Sequence, residues 1–281
     1  MLFNSKYPIV AVAMNMVSDL NLAIATHNAG AVPSISAFNY SDIRELQSDI
    51  QTFNTKCPNA ELIISINSNK IQESSVYNIL IEEKVSHVEI ILDHPSKGFL
   101  VNHLNKLRDA GIKLILKGNN PEYVRQVDGL VIKSSNGAGR VSDTRGLKFA
   151  INQAKELYPG IEIIGVGGIG NKNDVDNTLA LGADYVGIGT LFAATKESCL
   201  STEAKNKLVD NNSENLSQLR TTRGPQNALV FSKYREHDNN NNSLSLGAGI
   251  RTGTYGHVFA GKGIDSITEI VSVDTLIKSL V

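Results

Sequence analysis

Short apolar or β-branched runs recur along the first two thirds of the chain: Ile9–Met14, Val32–Ala37, Glu61–Asn67, His87–Leu92, Lys113–Gly118, Asp128–Ser134, Glu162–Gly168 and Tyr185–Gly189. They are nearly continuous in apolar character and do not alternate, the pattern of parallel strands buried on both faces. Stretches with helical spacing lie between them. Leu20, Ala23, Ile24 and His27 end at Asn28-Ala29-Gly30, a helix stop. Ser41 to Glu45 reads as a capped helix start, with Glu45 near the position of a capping box. Asn171 and Asp174 open another helix, which closes at Leu181-Gly182. Eight strands alternating with helices predict a closed (β/α)8 TIM barrel. A doubly wound open sheet has the same alternation, and strand number alone does not prove closure.

Beyond the last run the pattern changes. Residues 1–200 read as the barrel core, 201–242 as a polar excursion or lid, and 243–281 as a C-terminal segment closing on the barrel. Leu208 to Asn242 is polar, ends in Asp238-Asn-Asn-Asn-Asn242, and predicts an exposed loop. Order returns at Leu244–Gly249 and at Ile267–Leu280, whose Ile267, Ile270, Val271, Leu276 and Leu280 suit a packed helix.

Composition narrows the classes. A length of 281 residues would divide into two domains by a prior of about 150 residues each, yet an α/β barrel uses about 250 as one. The formal net charge of -1 speaks against a nucleic-acid binder, which usually carries a positive excess. Hydrophobic residues at 41% and charged residues at 20% describe an ordinary folded domain. No apolar run is long enough to span a membrane, and the N-terminal run, broken by Asn15 and Asp19, makes a poor signal peptide. Cys57 and Cys199 stand far apart without CxxC spacing, so two unpaired thiols in a reducing cytoplasm are expected, with no metal site.

In a barrel the chemistry gathers at the C-terminal ends of the strands. Those ends are Met14-Asn15, Asn67-Ser68, Lys117-Gly118, Ser134–Arg140, Gly165–Gly170 and Gly187–Thr190. Val166-Gly-Gly-Ile-Gly170 and Val186-Gly-Ile-Gly-Thr190 follow the last two strands, the recurring phosphate site of this fold. Glycines let backbone amides approach an anion closely, and helix N-termini favour it. The competing reading is that these glycines only make tight turns.

Ile164–Ile169, Leu179-Ala-Leu-Gly-Ala-Asp184 and Val186 to Ser198 resemble the nitronate monooxygenase family, also called 2-nitropropane dioxygenase-like, and the related FMN-dependent enoyl-acyl-carrier-protein reductases. Pro8-Ile-Val10, Met14, Asn28-Ala-Gly30, Arg223-Gly-Pro225 and Ala260-Gly-Lys-Gly263 extend the resemblance almost end to end. It implies a cytoplasmic FMN-dependent oxidoreductase of nitronate monooxygenase type, acting on a small organic molecule.

In that setting Gly167, Gly168, Gly189 and Thr190 would hold the FMN phosphate, with Gly137 and Gly139 in the loop after the sixth strand. Met14 would lie beside the ring through its backbone, and Asn67 would offer an amide to the ring's polar edge or simply cap a turn. Lys117 ends a buried strand, where its charge needs an anion. It would stabilise reduced flavin, or form a rim salt bridge.

The family usually shows Gly-Gly-His in the loop after the sixth strand; here Ser135 to Arg140 puts Arg140 at the histidine's place. Arginine binds carboxylates and phosphates but is a poor general base. An anionic substrate is therefore expected, unless Arg140 points to solvent and pairs with Asp143. His27 and His103 fall within predicted helices; His94 and His257 are the histidines placed to substitute as proton carriers.

An NAD(P)H-dependent enoyl-thioester reductase is the alternative enzyme. A flavin-binding barrel that has lost catalysis and serves as an interaction subunit is the non-enzymatic one. Any nicotinamide would bind transiently over the flavin, since no second Rossmann-like domain is visible. An apolar patch around the terminal helix points to a homodimer.

Overall fold

Each of the eight apolar runs forms a strand of one parallel sheet. The computed structural model describes residues 1–67, 74–92, 97–117, 126–140, 146–221, 224–231 and 242–281, apart from the side chains of 74, 97–101, 140, 221 and 242–244. In chain order the strands are β1 (Ile9–Ala11), β2 (Ser34–Ser36), β3 (Ile63–Asn67), β4 (His87–Ile91), β5 (Lys113–Lys117), β6 (Gly129–Lys133), the short β7 (Gly139–Arg140), β8 (Glu162–Val166) and β9 (Tyr185–Ile188). Neighbours follow the order β1-β9-β8-β6-β5-β4-β3-β2, and a parallel bridge from Val10 to Val32 joins the two ends. The sheet therefore closes on itself. The fold is a (β/α)8 TIM barrel, and the open doubly wound sheet is excluded.

Alternation explains why the runs are apolar throughout. Outward residues such as Ile64, Ile66, Val88, Ile90, Leu114, Leu116, Leu130 and Ile132 pack against helices, among them Leu46, Ile50 and Phe53 of α2 (Ile43–Lys56). Inward residues Val10, Val12, Val32, Ile63, Ile115, Val131, Ile164, Val166 and Tyr185 fill the barrel.

Asn171 caps its helix as its residue type indicated, and Asp19, not singled out in the sequence as a cap, caps another. Asp19 accepts from Leu22 N–H at the start of α1 (Leu20–Asn28), and Asn171 accepts from Asp174 N–H ahead of α6 (Lys172–Ala180). The helices between are α3 (Ser74–Glu82), α4 (Lys97–Asp109) and α5 (Leu147–Leu157). Gly30 and Gly182 follow α1 and α6 at φ 86° and 100°, values that L side chains rarely adopt. At Asp42 the cap differs from the expected box: its side chain accepts from Arg44 N–H.

The N-terminal end of the barrel is plugged. Leu2 and Phe3 are each 2% exposed and enter the base of the barrel. Leu2 N–H donates to Glu162 Oε2 at 2.7 Å, Lys113 Nζ donates to Leu2 O at 2.7 Å, and His87 Nε2 lies 2.8 Å from the same oxygen. Phe3 meets Tyr185 edge-on with ring centroids 4.9 Å apart. With the base sealed, ligand access is left to the C-terminal mouth.

The polar segment after the barrel departs from expectation. Leu208 belongs to α8 (Thr202–Val209), which follows the short α7 (Thr190–Ala193), and residues 216–230 form a hairpin of β10 (Leu216–Thr221) and β11 (Gly224–Val230). β11 pairs antiparallel with both β7 and β12 (His257–Phe259), making a second small sheet over one side of the mouth. Residues 232–241 lie outside the described residues.

Leu244–Gly249 falls in α9 (Asn242–Thr252), and the terminal helix α10 (Val273–Leu280) begins only after its cap at Ser272, later than the sequence suggests. Its Val273, Leu276, Ile277 and Leu280 are buried in one cluster with the barrel's Ile9, Val186 and Ile188. The apolar stripe expected to face a second copy is thus occupied within the chain.

Candidate active site

Several glycine-rich segments converge at the C-terminal mouth. The loop after β6 lies directly on the loop after β8. A Cβ at Gly167 would sit 2.6 Å from Ser134 Oγ and 3.0 Å from Gly137 N, and one at Gly168 would sit 2.9 Å from Asn136 Cβ. Both glycines also have positive φ, 113° and 81°. Close packing of one loop on another therefore accounts for part of their glycine requirement. Gly189 differs: its φ is −119°, and its nearest neighbours are the side chains of Val12 and Met14.

A fourth segment joins them from far along the sequence. Gly261 fits against Asn136 O and Ala138 N, where a Cβ would approach to 2.6 and 2.7 Å. Gly261 N–H donates to Thr190 Oγ1 at 3.1 Å, and Lys262 N–H donates to Asn136 O at 2.9 Å. The Thr190 hydroxyl, acting there as acceptor, still has its own proton to donate. Thr190 opens α7, so the first N–H groups of that turn have no intrahelical acceptor.

The second sheet clamps the loop after β6. Asn227 Nδ2 donates to Ser135 O at 2.7 Å and to Gly137 O at 3.0 Å. Beside it, β7 pairs with β11 through Gly139 opposite Asn227 and Arg140 opposite Gln226. Gly139 also faces the ring of Phe259. The Arg140 backbone is thereby fixed in a strand at the mouth; its side chain and Asp143 lie outside the described residues, as does His94.

On the inward face of the barrel, polar groups crowd the upper layers. Asn67, buried, shares its face with Ile63 and Ser65. Lys117 meets its anion within the chain: Nζ lies 3.2 Å from Glu89 Oε1. Lys133 ends β6 on the same face as Val131 and donates to Ala138 O. Met14 uses its backbone locally, its N–H bonded to Ser18 Oγ at 2.9 Å and its carbonyl accepting from Val17 and Ser18 N–H. Its side chain is the part that reaches Gly189. Next to it, the buried Asn15 Oδ1 has no hydrogen-bond partner, an unmet acceptor.

His257 lies on β12 in the second sheet. It is 1% exposed, with Nδ1 at 3.2 Å from Ser245 Oγ, its ring beside Phe259, and Nε2 without a partner. Burial pushes its pKa down to about 4, so the imidazole is neutral near pH 7. Among the described residues no group of His, Cys, Asp and Glu could hold a metal, and no helix is long and apolar enough to cross a membrane. Both cysteines are free.

The sequence reading missed Glu89, Lys133 and Asn227, and named Asn15 only as part of a strand end. The first two carried a signal: charged residues at inward positions of otherwise apolar runs.

Comparisons with known proteins agree with this architecture. The family model for nitronate monooxygenase matches residues 101–281. FabK from Thermotoga maritima superposes with a TM-score of 0.85 at 22% identity, over 99% of this chain and 93% of that one. A nitroalkane oxidase from Streptomyces ansochromogenes gives a TM-score of 0.80 at 20% identity, over 98% and 95%. At such identities the likeness speaks for the fold. The catalytic subunit of dihydroorotate dehydrogenase B (NAD(+)) from Saccharolobus solfataricus is 27% identical over 169 residues, 57% of this chain, and the match spans 58% of that protein.

Two buried imidazoles set an acid limit on stability. Burial lowers the pKa of His87 as well as that of His257, so the unfolded chain binds more protons than the folded one on acidification. Their contribution is complete above the unfolded value of about 6.5 and is lost as pH falls towards 4; His257 alone accounts for roughly 3 kcal/mol. Urea unfolding midpoints should drop between pH 7 and pH 4.5, and His257→Leu should flatten that slope. An unchanged slope in the variant would show that His257 takes up no proton on unfolding.

Proposed function

The chain belongs to the nitronate monooxygenase family of FMN-dependent oxidoreductases, and we propose that it oxidises a small anionic organic molecule at the barrel mouth. The observation that carries this reading is the convergence on one mouth of the loops at Ser134–Gly139, Gly167–Gly170, Gly189–Thr190 and Gly261–Gly263. Their backbones lie too close for side chains at several points, the Thr190 hydroxyl has a proton to give, and α7 begins there. Such a cradle suits the FMN phosphate.

The rest of the mouth fits the flavin ring. Met14 reaches Gly189 with its side chain, the contact proposed here in place of its backbone. Asn67 and Lys117 face inward from β3 and β5, and Asn15 Oδ1 awaits an N–H or O–H donor. FMN, when bound, supplies the electron acceptor for the oxidation.

The protein's part is binding and charge. Arg140 stands in the strand that closes the loop after β6, where a guanidinium presents paired N–H donors to a carboxylate, nitronate or phosphate. Lys133 adds a second cation on the inward face below that loop. Arg140 stays protonated at neutral pH and is a poor base, and His257 packs against Ser245 and Phe259. This supports a substrate that enters as the preformed anion, since neither Arg140 nor the packed His257 is suited to take a C–H proton.

Reduction of an enoyl thioester by NAD(P)H is a second reading, supported by the likeness to FabK over nearly the whole chain. One spectrum separates the candidates. Purified protein should show flavin absorbance bands, or acquire them on adding FMN, and should keep them when NAD(P)H is added under argon. Bleaching by NAD(P)H would favour the reductase, and a protein that cannot take up FMN would leave an interaction subunit.

The cradle has its own test. Gly189→Asp places a carboxylate against the phosphate, and the variant should fold but purify with less than a tenth of the wild-type flavin. Full occupancy would move the phosphate elsewhere.

Arg140→Ala should raise KM for an anionic nitronate about tenfold or more while sparing FMN content. Arg140→His should confer measurable oxidation of neutral nitroalkanes. Unchanged nitronate kinetics in Arg140→Ala would place the guanidinium away from the substrate.

A further inference from the structure

Inside the barrel, one charged pair lies between the apolar residues below and the polar groups at the mouth. Ser65, Glu89 and Lys117 occupy the inward faces of the adjacent strands β3, β4 and β5. Glu89 Oε1 accepts from Ser65 Oγ at 2.7 Å and from Lys117 Nζ at 3.2 Å. The side chain of Glu89 is 5% exposed and that of Lys117 is 21% exposed. The lysine thus opens towards the mouth, while its counter-ion lies deeper, one inward position below Ile91 on its own strand. Around them Ile63, Ile115, Val131 and Ile164 fill the interior.

Stability does not explain this pair. Exchanging a buried ion pair for well-packed apolar side chains is often neutral or stabilising, because desolvation offsets the Coulomb attraction. A lysine alone at this position would swing on its four-carbon stem and carry a full positive charge. Glu89 limits both. Its Oε1, itself oriented by Ser65, draws the ammonium to one place and offsets part of its field at the mouth.

We propose that Glu89, held by Ser65, is a positioning residue that fixes Lys117 beneath the FMN ring and sets how strongly the protein favours the reduced, anionic flavin. The proposal rests on the FMN reading above. It makes the wild-type pair a moderated cation, so that removing either partner shifts the flavin in opposite directions.

The test uses FMN-loaded protein and sulfite, with the potential measured in parallel. Sulfite adds to the oxidised ring with its electron pair and leaves the ring anionic, so its dissociation constant reads the positive charge nearby without turnover. Glu89→Gln keeps the shape and the acceptor for Ser65 and Lys117 but removes the counter-charge. It should tighten sulfite binding about tenfold and raise the two-electron midpoint potential by about 30 mV. Lys117→Met should weaken sulfite binding by about tenfold or more, and the double variant should return to within about threefold of wild type.

Opposite signs from the two single variants exclude a general loosening of the site, which would move both the same way. If Lys117→Met fails to fold, Glu89→Gln decides alone. A Glu89→Gln protein that holds FMN and keeps the wild-type sulfite constant within about twofold overturns the proposal. FMN titration of the wild type is read first: no binding there overturns the FMN reading itself, a failure distinct from that of the Glu89 assignment.

Discussion

Backbone pressed against backbone is the constraint on which the mouth depends. Gly167 lies on Ser134 and Gly137, Gly168 on Asn136, and Gly261 on Asn136 and Ala138. Such contacts leave no volume for a methyl group, and interiors packed this tightly transmit any shift in one loop to the next. The place of the Arg140 backbone and the bond from Gly261 N–H to the Thr190 hydroxyl both belong to that stack. Asn227 adds a lock from the side, because its two bonds to Ser135 and Gly137 carbonyls cannot form unless the loop is seated.

The barrel is chemically unlike at its two ends. At the base, Leu2 and Phe3 use up the polar groups that face them: Glu162, Lys113, His87 and Tyr185 all bond to this segment. At the mouth, Asn15 keeps an unmet acceptor. Polar groups satisfied internally hold a shape, and an unsatisfied one invites a ligand.

Much of the barrel was legible in the sequence because parallel strands buried on both faces leave unmistakable apolar runs, and because Asn171, Gly30 and Gly182 punctuate helices for simple steric and hydrogen-bonding reasons. The hairpin at 216–230 was not. Its strands are polar; among the described residues β10 pairs only with β11, and β11 is further held by pairing with Gly139–Arg140 and His257–Phe259, which are remote in sequence. Asn227 was hidden for the same reason: an asparagine that bonds main-chain oxygens 92 residues away leaves no local pattern. Glu89 could have been found, since an acidic residue in the run His87-Val-Glu-Ile-Ile91 faces the same side as Ser65 and Lys117 once the strands are aligned. Met14 is different again. Its place at the mouth follows from the strand end, but its backbone is consumed by its own turn, which only coordinates reveal.

The mouth is built from both ends of the polypeptide, and this orders events during synthesis. When β9 leaves the ribosome every barrel strand exists, and closure through Val10 and Val32 needs nothing further. The loop after β6 still lacks Asn227, Thr190 lacks Gly261, and the face of Ile9 and Val186 lacks α10. A nascent barrel therefore has strands before it has a finished cradle. The contacts that complete the proposed cradle, from Asn227 and Gly261, are thus made by residues that follow every barrel strand, so the strands can be in place before the mouth is finished.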